Sequence, residues 1–425
     1  MTTAIARAQR PYDPADLSSL EFWSSTAADR ERTFAELRAL RPVSWHRPVR
    51  NGMFSDPNDE GFWAVVRHAD LVEVTRRPAD FLSGRGITFE SIPPELLDAA
   101  QGFIAMDPPR HTKIRRLLAA AFTPKQLARI DTDIVANARR IVDEVADRGE
   151  IDFVGEVAAL VPMHNICDMV GIPAEHRRTI AYESQFADGW RDPRLLQGAE
   201  PLARVAQTIA TVHGIAHELI AARRRAPQND LMTAMVQAEV DGERLTDDEI
   251  SSIFALLIIA GNDTTRQSIA HGLKALTDFP DQRAWLMADI DGRMPLAVEE
   301  IVRWATPIMT FRRTAAHDTE LGGHLITEGD KVIMFYASAN FDTEVFDHPE
   351  RLDLSRSPNR HVAFGGGGIH HCLGAQLARR QIAATLRELL TRLPDISAVG
   401  EPELGNGNFF HTVMSMTARF TPERR

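Results

Sequence analysis

Helix signals follow one another from about residue 108 to 305, interrupted by "FTPK", "GIPAE", "RAPQND", "DFPDQ" and "DGRMP". Apolar periodicity cut by proline-bearing breaks predicts a mainly α region. Strand-like runs are few: "GFWAVV" near the start, then "TELGGHLI" and "DKVIMFYA" between 319 and 337, where Gly322-Gly323 predicts a hairpin. The longest helix is predicted to begin near "LTDDEI" at 245, with Thr246 as cap and acids in its first turn, and to run to about Thr277. About 30 residues at 1.5 Å each cross roughly 45 Å, the width of the whole molecule, so this helix is expected to be a central axis. After the strands comes "FDTEVFDHPERLDLSRSPNRHVAF", aromatic, proline-studded and without period. A long irregular segment in a compact protein is usually functional.

No period of 20 to 50 residues repeats, which excludes solenoids and propellers. Apolar residues make up 44% and charged ones 25%, the balance of a folded globular chain. The net charge of −11 speaks against general attraction to nucleic acid or anionic lipid. The longest apolar runs, such as "IFALLIIA", fall short of the roughly 18 to 20 residues that span a bilayer. "MTTAIARAQRPYDPADL" lacks the apolar core of a secretion signal, so a cytoplasmic protein is expected. The two cysteines, Cys167 and Cys372, are too few for a disulfide framework. Cys167 lies in the apolar helical pattern "VPMHNICDMV" and reads as a buried small hydrophobe.

Cys372 is different. It stands in "FGGGGIHHCLG", where bare backbone can approach a flat object closely. "LGAQLARRQIAATLRELLTRL" reads as a helix starting just after it, so free N–H groups and a positive dipole end favour a thiolate. Gly366, Gly368, His370, Cys372, Leu373 and Gly374 resemble the haem-binding signature of the cytochrome P-450 family. One departure is visible: Phe364 lies one residue early, and Gly365 takes the aromatic position. The resemblance puts Cys372 on the thiolate that ligates haem iron, the family being a standard case of such ligation.

Further motifs match in the family's order. Glu300 and Arg303 in "AVEEIVRW" fall on its Glu-x-x-Arg, and "HPERLD" places Arg351 on the arginine that completes an ion-paired triad. This cluster is expected to be structural, pinning the irregular segment under the haem. In "DPPRHTKIRRL", His111 and Arg115 are four apart on one helix face, and the resemblance makes them propionate ligands together with Arg313 and His370. Arg312, next to Arg313, competes for the same role. "IAGNDTTRQ" lies inside the long helix yet is poor helix chemistry. It matches the family's distal motif, with Ala260 and Gly261 giving room over the iron, Asp263 the acid and Thr264 the alcohol that deliver protons.

The resemblance covers nearly the whole chain. It implies one haem domain over residues 1–425, mainly α with small β-sheets, in the cytochrome P-450 fold. A long central helix would lie over the haem and the cysteine loop beneath. The β-rich portion is expected at about 40–90 and 310–340, the α-rich portion at about 108–305 and 373–392. It further implies a monooxygenase using dioxygen and haem b, with electrons from a ferredoxin and an NAD(P)H-dependent ferredoxin reductase. No Gly-x-Gly-x-x-Gly follows a strand to supply a flavin or nicotinamide site in the chain itself. Arg379 and Arg380 are either a docking patch for an acidic ferredoxin or an ordinary solvated helix face.

The pocket walls are expected from Ile87, Phe89, Phe103, Ile104, Ile308, Phe409, Phe410 and Val413, with the segment around 180 to 205. These suit a hydrophobic substrate, and each of the eight side chains could equally be core. "AGNDTTRQSIAHG", "AVEEIVRWATP", "RRTAAHDTELGG" and "FGGGGIHHCLGA" resemble the mycobacterial branch that hydroxylates methyl-branched lipids and cholesterol side chains. That similarity implies terminal hydroxylation of a branched, isoprenoid or sterol side-chain lipid; a terpene or polyketide is the alternative. Two other readings stand beside it: a non-catalytic haem protein that senses a hydrophobic ligand, and a zinc site made of His361, His370, His371 and Cys372.

Overall fold

A computed structural model describes residues 10–49, 58–121, 124–189, 198 and 200–424. The strands that matter here are β1 (Val43–His46), β2 (Phe62–Val65), β3 (Phe81–Leu82), β4 (Thr310–Ala315) and β5 (Lys331–Phe335). They form one sheet in the order β1-β2-β5-β4-β3, with β5 parallel to β2 and every other pair antiparallel. The two predicted β-rich portions are therefore one element, built from both ends of the chain. The "KVIMF" run is apolar throughout because both faces of β5 are covered. Val332 and Met334 enter a core with Trp45, Trp63 and Leu71, while Ile333 and Phe335 enter another with Trp23, Phe34 and Phe62. The hairpin sits where Gly322-Gly323 predicts it, between Thr319–Leu321 and His324–Ile326, with both glycines at positive φ (57° and 78°).

The helices that frame the site are α1 (His68–Arg76), α2 (Pro94–Gln101), α3 (Arg110–Ala121), α4 (Pro124–Val145), α5 (Leu160–Val170), α6 (Ala174–Gly189) and α7 (Pro201–Arg225). They are followed by α8 (Asp247–Asp278), α9 (Ile290–Ala305) and α10 (Ala375–Arg392). The predicted axis is α8. Thr246 Oγ1 accepts from Glu249 N while the Glu249 carboxylate accepts from Thr246 N, a complete capping box. The helix stops at Asp278 because Phe279 precedes Pro280, which keeps it out of the α region, at φ −118° and ψ 73°. Its 32 residues span roughly 48 Å. Eighteen of them are buried, facing α5, α7, α9 and α10 in turn.

The irregular segment is tied to α9 by one carboxylate. Glu300 is 0% exposed and accepts from Arg303 Nε and Nη2 (both 2.8 Å), Arg356 Nε (3.1 Å), Asn359 Nδ2 (2.9 Å) and the Asp353 N–H (3.1 Å). This corrects the expected triad. Arg351 is exposed and contributes only its carbonyl, toward which Arg303 and Arg356 both point at 3.5 Å. The guanidinium that completes the cluster is Arg356, because the chain turns at Asp353 and brings back the arginine five residues beyond Arg351. Replacing Arg356 by Ala takes one of two guanidinium groups from a buried carboxylate that keeps Arg303, and is expected to cost about 2 kcal/mol, whereas Arg351→Ala is expected to cost less than about 1 kcal/mol. Denaturant unfolding of the two purified variants checks this, and equal losses would restore Arg351 to the cluster.

Candidate active site

The cysteine loop leaves the irregular segment at His361 and enters α10 at Ala375. It is held from within by the Cys372 N–H, which donates to the Phe364 carbonyl at 2.9 Å. Its glycines serve a different neighbour from the one expected. A Cβ on Gly366 would lie 2.8 Å from Thr75 Oγ1, and one on Gly368 would lie 2.2 Å from the Thr75 carbonyl. Both residues are glycine so that the loop can lie on α1, which corrects their reading as room for a flat ligand. Gly374 keeps that reading, since a Cβ there meets nothing within 4 Å. The Cys372 side chain keeps accessible surface although protein atoms crowd round its thiol. Burial pushes its thiol up, against the opposing Gly374 N–H and the charges of Arg115 and Arg379. The helix end alone therefore does not make the sulfur an anion, contrary to expectation; a coordinated metal ion removes the proton outright.

Beside the loop, three of the four predicted propionate ligands draw close. The rings of His111 and His370 lie 4.2 Å apart, and Arg313 acts on both electrostatically. Burial, and then the charges of Arg313, His111 and Arg115, push His370 down to about 2, so it is neutral. It already has two partners, Ser83 Oγ at 3.0 Å and the Met106 backbone. His111 is 1% exposed and neither ring nitrogen has a hydrogen-bond partner. Arg313 is a buried guanidinium whose one hydrogen bond is to the Arg312 carbonyl, with no ion pair among the described residues. Arg115, half-buried, donates to the His371 carbonyl at 2.7 Å. Strand alternation separates the two neighbouring arginines. Arg312 faces Ser91 and Thr314, away from the two histidines.

On α8 the predicted lapse is not a break, for the helix is continuous through Gly261. Thr264 Oγ1 donates to the Ala260 carbonyl at 2.8 Å, one turn back. Ala260 is exposed in the middle of an otherwise covered stretch. Asp263 is 0% exposed. Its carboxylate accepts from Ser184 Oγ on α6 (3.3 Å) and from Asn262 Nδ2 (3.1 Å), with Arg266 Nη1 at 3.6 Å. Ser184, Asn262 and Arg266 were missing from the expected site. Nothing in a single sequence links residue 184 to residue 263.

The proposed pocket walls divide. Ile87, Ile104 and Phe409 join one apolar cluster with Ile92, Leu97, Ala105 and Phe311. Ile308 and Phe410 are bridged across adjacent backbone, and Phe103 stacks on His111 at 5.9 Å. Phe89 is instead enclosed by Trp23, Phe62 and Phe335, and Val413 is buried in the main helical core, so both are corrections. Of the 180–205 stretch, residues 190–197 and 199 lie outside the described residues.

Arg379 and Arg380 are paired with Glu299 and Asp131 respectively, so neither is an uncompensated cation. No group of three or more His, Cys, Asp or Glu side chains gathers as a metal site among the described residues; His361 is bonded to Glu299 and His370 to Ser83. No described helix is long and apolar enough to cross a membrane.

These residues fit a haem. A buried guanidinium without a carboxylate and a histidine with two orphaned nitrogens are what two propionates satisfy. The Cys372 thiol and Ala260 on α8 both keep accessible surface, as a ligand and a distal helix on the two sides of a flat group would. Relatives agree. The family model described as Cytochrome P450 matches residues 193–394. The Mycobacterium tuberculosis protein named "Methyl-branched lipid omega-hydroxylase" is 40% identical over 410 residues, covering 96% of this chain and 94% of its own. "Steroid C26-monooxygenase" of Rhodococcus jostii is 37% identical over 407 residues, covering 94% and 83%. Among solved structures, Mycobacterium marinum cytochrome P450 CYP268A2 in complex with pseudoionone superposes with a TM-score of 0.93 at 57% identity, covering 97% of this chain and all of its own. Cysteine loop, distal helix and these relatives together make the chain a member of the cytochrome P450 family, a haem-dependent monooxygenase of hydrophobic substrates.

Proposed function

We propose that this protein hydroxylates the terminal carbon of a methyl-branched, isoprenoid or sterol side-chain lipid, with Cys372 as the axial ligand of haem b. The observation that carries the substrate class is the apolar cluster of Ile87, Ile92, Leu97, Ile104, Phe311 and Phe409, whose Phe311 stands two residues before Arg313 on β4. Such walls offer a branched chain area without asking it for hydrogen bonds. The names of the relatives support the same class: an omega-hydroxylase of methyl-branched lipids, a C26-monooxygenase of steroids, and a structure holding pseudoionone.

Haem bound here supplies the activation of dioxygen and the insertion of one oxygen atom into a C–H bond. The chain supplies the rest. Gly374 gives its N–H to the Cys372 sulfur, and His111, Arg115 and Arg313 hold the propionates, with His370 neutral beside them. On the other side, Thr264 Oγ1 releases the Ala260 carbonyl to orient a water. Asp263 relays protons to it, its two oxygens steadied by Ser184 and Asn262. Electrons come from a ferredoxin and its NAD(P)H-dependent reductase.

Two measurements test this reading. Titrating the haem-loaded protein with a branched fatty acid, a sterol, an isoprenoid ketone and a macrolide is expected to shift the haem spectrum with the first three, with terminal alcohols as products under a surrogate electron donor. Binding of the macrolide alone, or hydroxylation at internal carbons, would overturn the substrate class. Thr264→Ala is expected to leave lipid binding unchanged while product formed per electron consumed falls roughly tenfold or more. Equal yield from both forms would remove Thr264 from proton delivery.

A further inference from the structure

Glu299 stands next to the buried Glu300 on α9 and looks the other way, toward the cysteine loop. Its carboxylate accepts from His361 Nε2 at 2.9 Å and from Arg379 Nη2 at 3.0 Å, and pairs with Arg379 Nε as well. Both partners cover one ring. The Arg379 guanidinium lies 4.4 Å from the centroid of Phe364, and the His361 ring lies 5.7 Å from it at 53°. The Ala363 N–H donates to His361 Nδ1 at 3.3 Å, so Nε2 carries the ring proton and gives it to Glu299. Phe364 is also the residue whose carbonyl holds the Cys372 N–H. One acid thus fixes a cation and an imidazole on the aromatic residue that anchors the ligand loop.

We propose that Glu299 is a positioning residue that sets the electrostatic field at the Cys372 sulfur: by holding Arg379 over Phe364 it tunes the potential at which bound haem takes up its first electron. This rests on the reading of Cys372 as the haem ligand. A fixed cation near the sulfur stabilises the reduced state, and a fixed anion opposes it. Each member of the pair is about three-quarters covered, at 26% and 25% side-chain exposure, so solvent screens the field only in part. Bound to each other they largely cancel. The same partners account for the state of the acid: burial pushes it up, but hydrogen bonds from His361 and Arg379 and the charge of Arg379 outweigh this and hold it at about 2.

The test is the reduction potential of purified haem-loaded protein, read by spectroelectrochemical titration of the wild type, Glu299→Gln, Arg379→Gln and the double variant. Glu299→Gln is expected to shift the potential positive, Arg379→Gln negative, and the double variant is expected to return close to wild type. Arg379→Lys, which keeps the charge, should undo most of the Arg379→Gln shift. Loosening of the loop without an electrostatic role would move both single variants in the same direction; that result, or no shift in either, overturns the proposal. If Glu299→Gln fails to fold, the contrast between Arg379→Gln and Arg379→Lys still decides it. Electron paramagnetic resonance of the ferric wild type separates the two levels. A low-spin thiolate signal without opposed shifts sinks this proposal alone, and an imidazole-type signal sinks the ligand assignment with it.

Discussion

A carboxylate without solvent has to be satisfied by protein, and Glu300 is the clearest case in this fold. Four groups converge on it: two guanidinium groups, an amide and a backbone N–H. Three of them come from the aperiodic stretch between 353 and 359, which has no ladder of its own to hold it. Removing the acid leaves two covered guanidinium groups without their shared carboxylate, while removing one arginine still leaves the acid the other. The cysteine loop begins only a few residues further on. Its position is therefore inherited from an ion cluster on α9, and the helix α10 that follows takes over where the loop ends.

Three surfaces then meet at the loop. Gly366 and Gly368 lie against α1, Phe364 lies under Arg379, and Arg115 of α3 donates to the His371 carbonyl. The buried polar groups of the molecule are unequal in a telling way. Glu300 and Asp263 are buried acids with several donors each. Arg313 and His111 are buried bases without an acid of their own. A fold that satisfies its anions yet leaves the Arg313 guanidinium without a carboxylate and the His111 ring without a partner suits an anionic guest, as haem propionates are.

Much of this was legible in advance. The cap at Thr246, the stop before Pro280 and the hairpin at Gly322-Gly323 depend on local chemistry, which a single sequence carries in full. The cysteine, the acid–alcohol pair and the set of His111, Arg115, Arg313 and His370 were picked out by motif, and the structure brings His111, Arg313 and His370 together. The failures share a cause. Arg351 was chosen by counting along the motif, while Arg356 was brought in by the return of an irregular chain. Phe89 and Val413 are apolar like the pocket residues, and only the fold decides which side of the sheet or core they occupy. Gly366 looked like space for a ligand and proved to be space for Thr75. Ser184 and Glu299 carry no local signal, since each acquires its role from a partner dozens of residues away.

The bond between the Cys372 sulfur and haem iron is the claim on which the proposed chemistry stands. Its most direct measurement is the absorption spectrum of the reduced, carbon monoxide-bound protein. A Soret band at the long wavelength that marks a thiolate ligand is expected, lost in Cys372→His. A short-wavelength band of the imidazole type in the wild-type protein, or purified protein that takes up no haem, would contradict it.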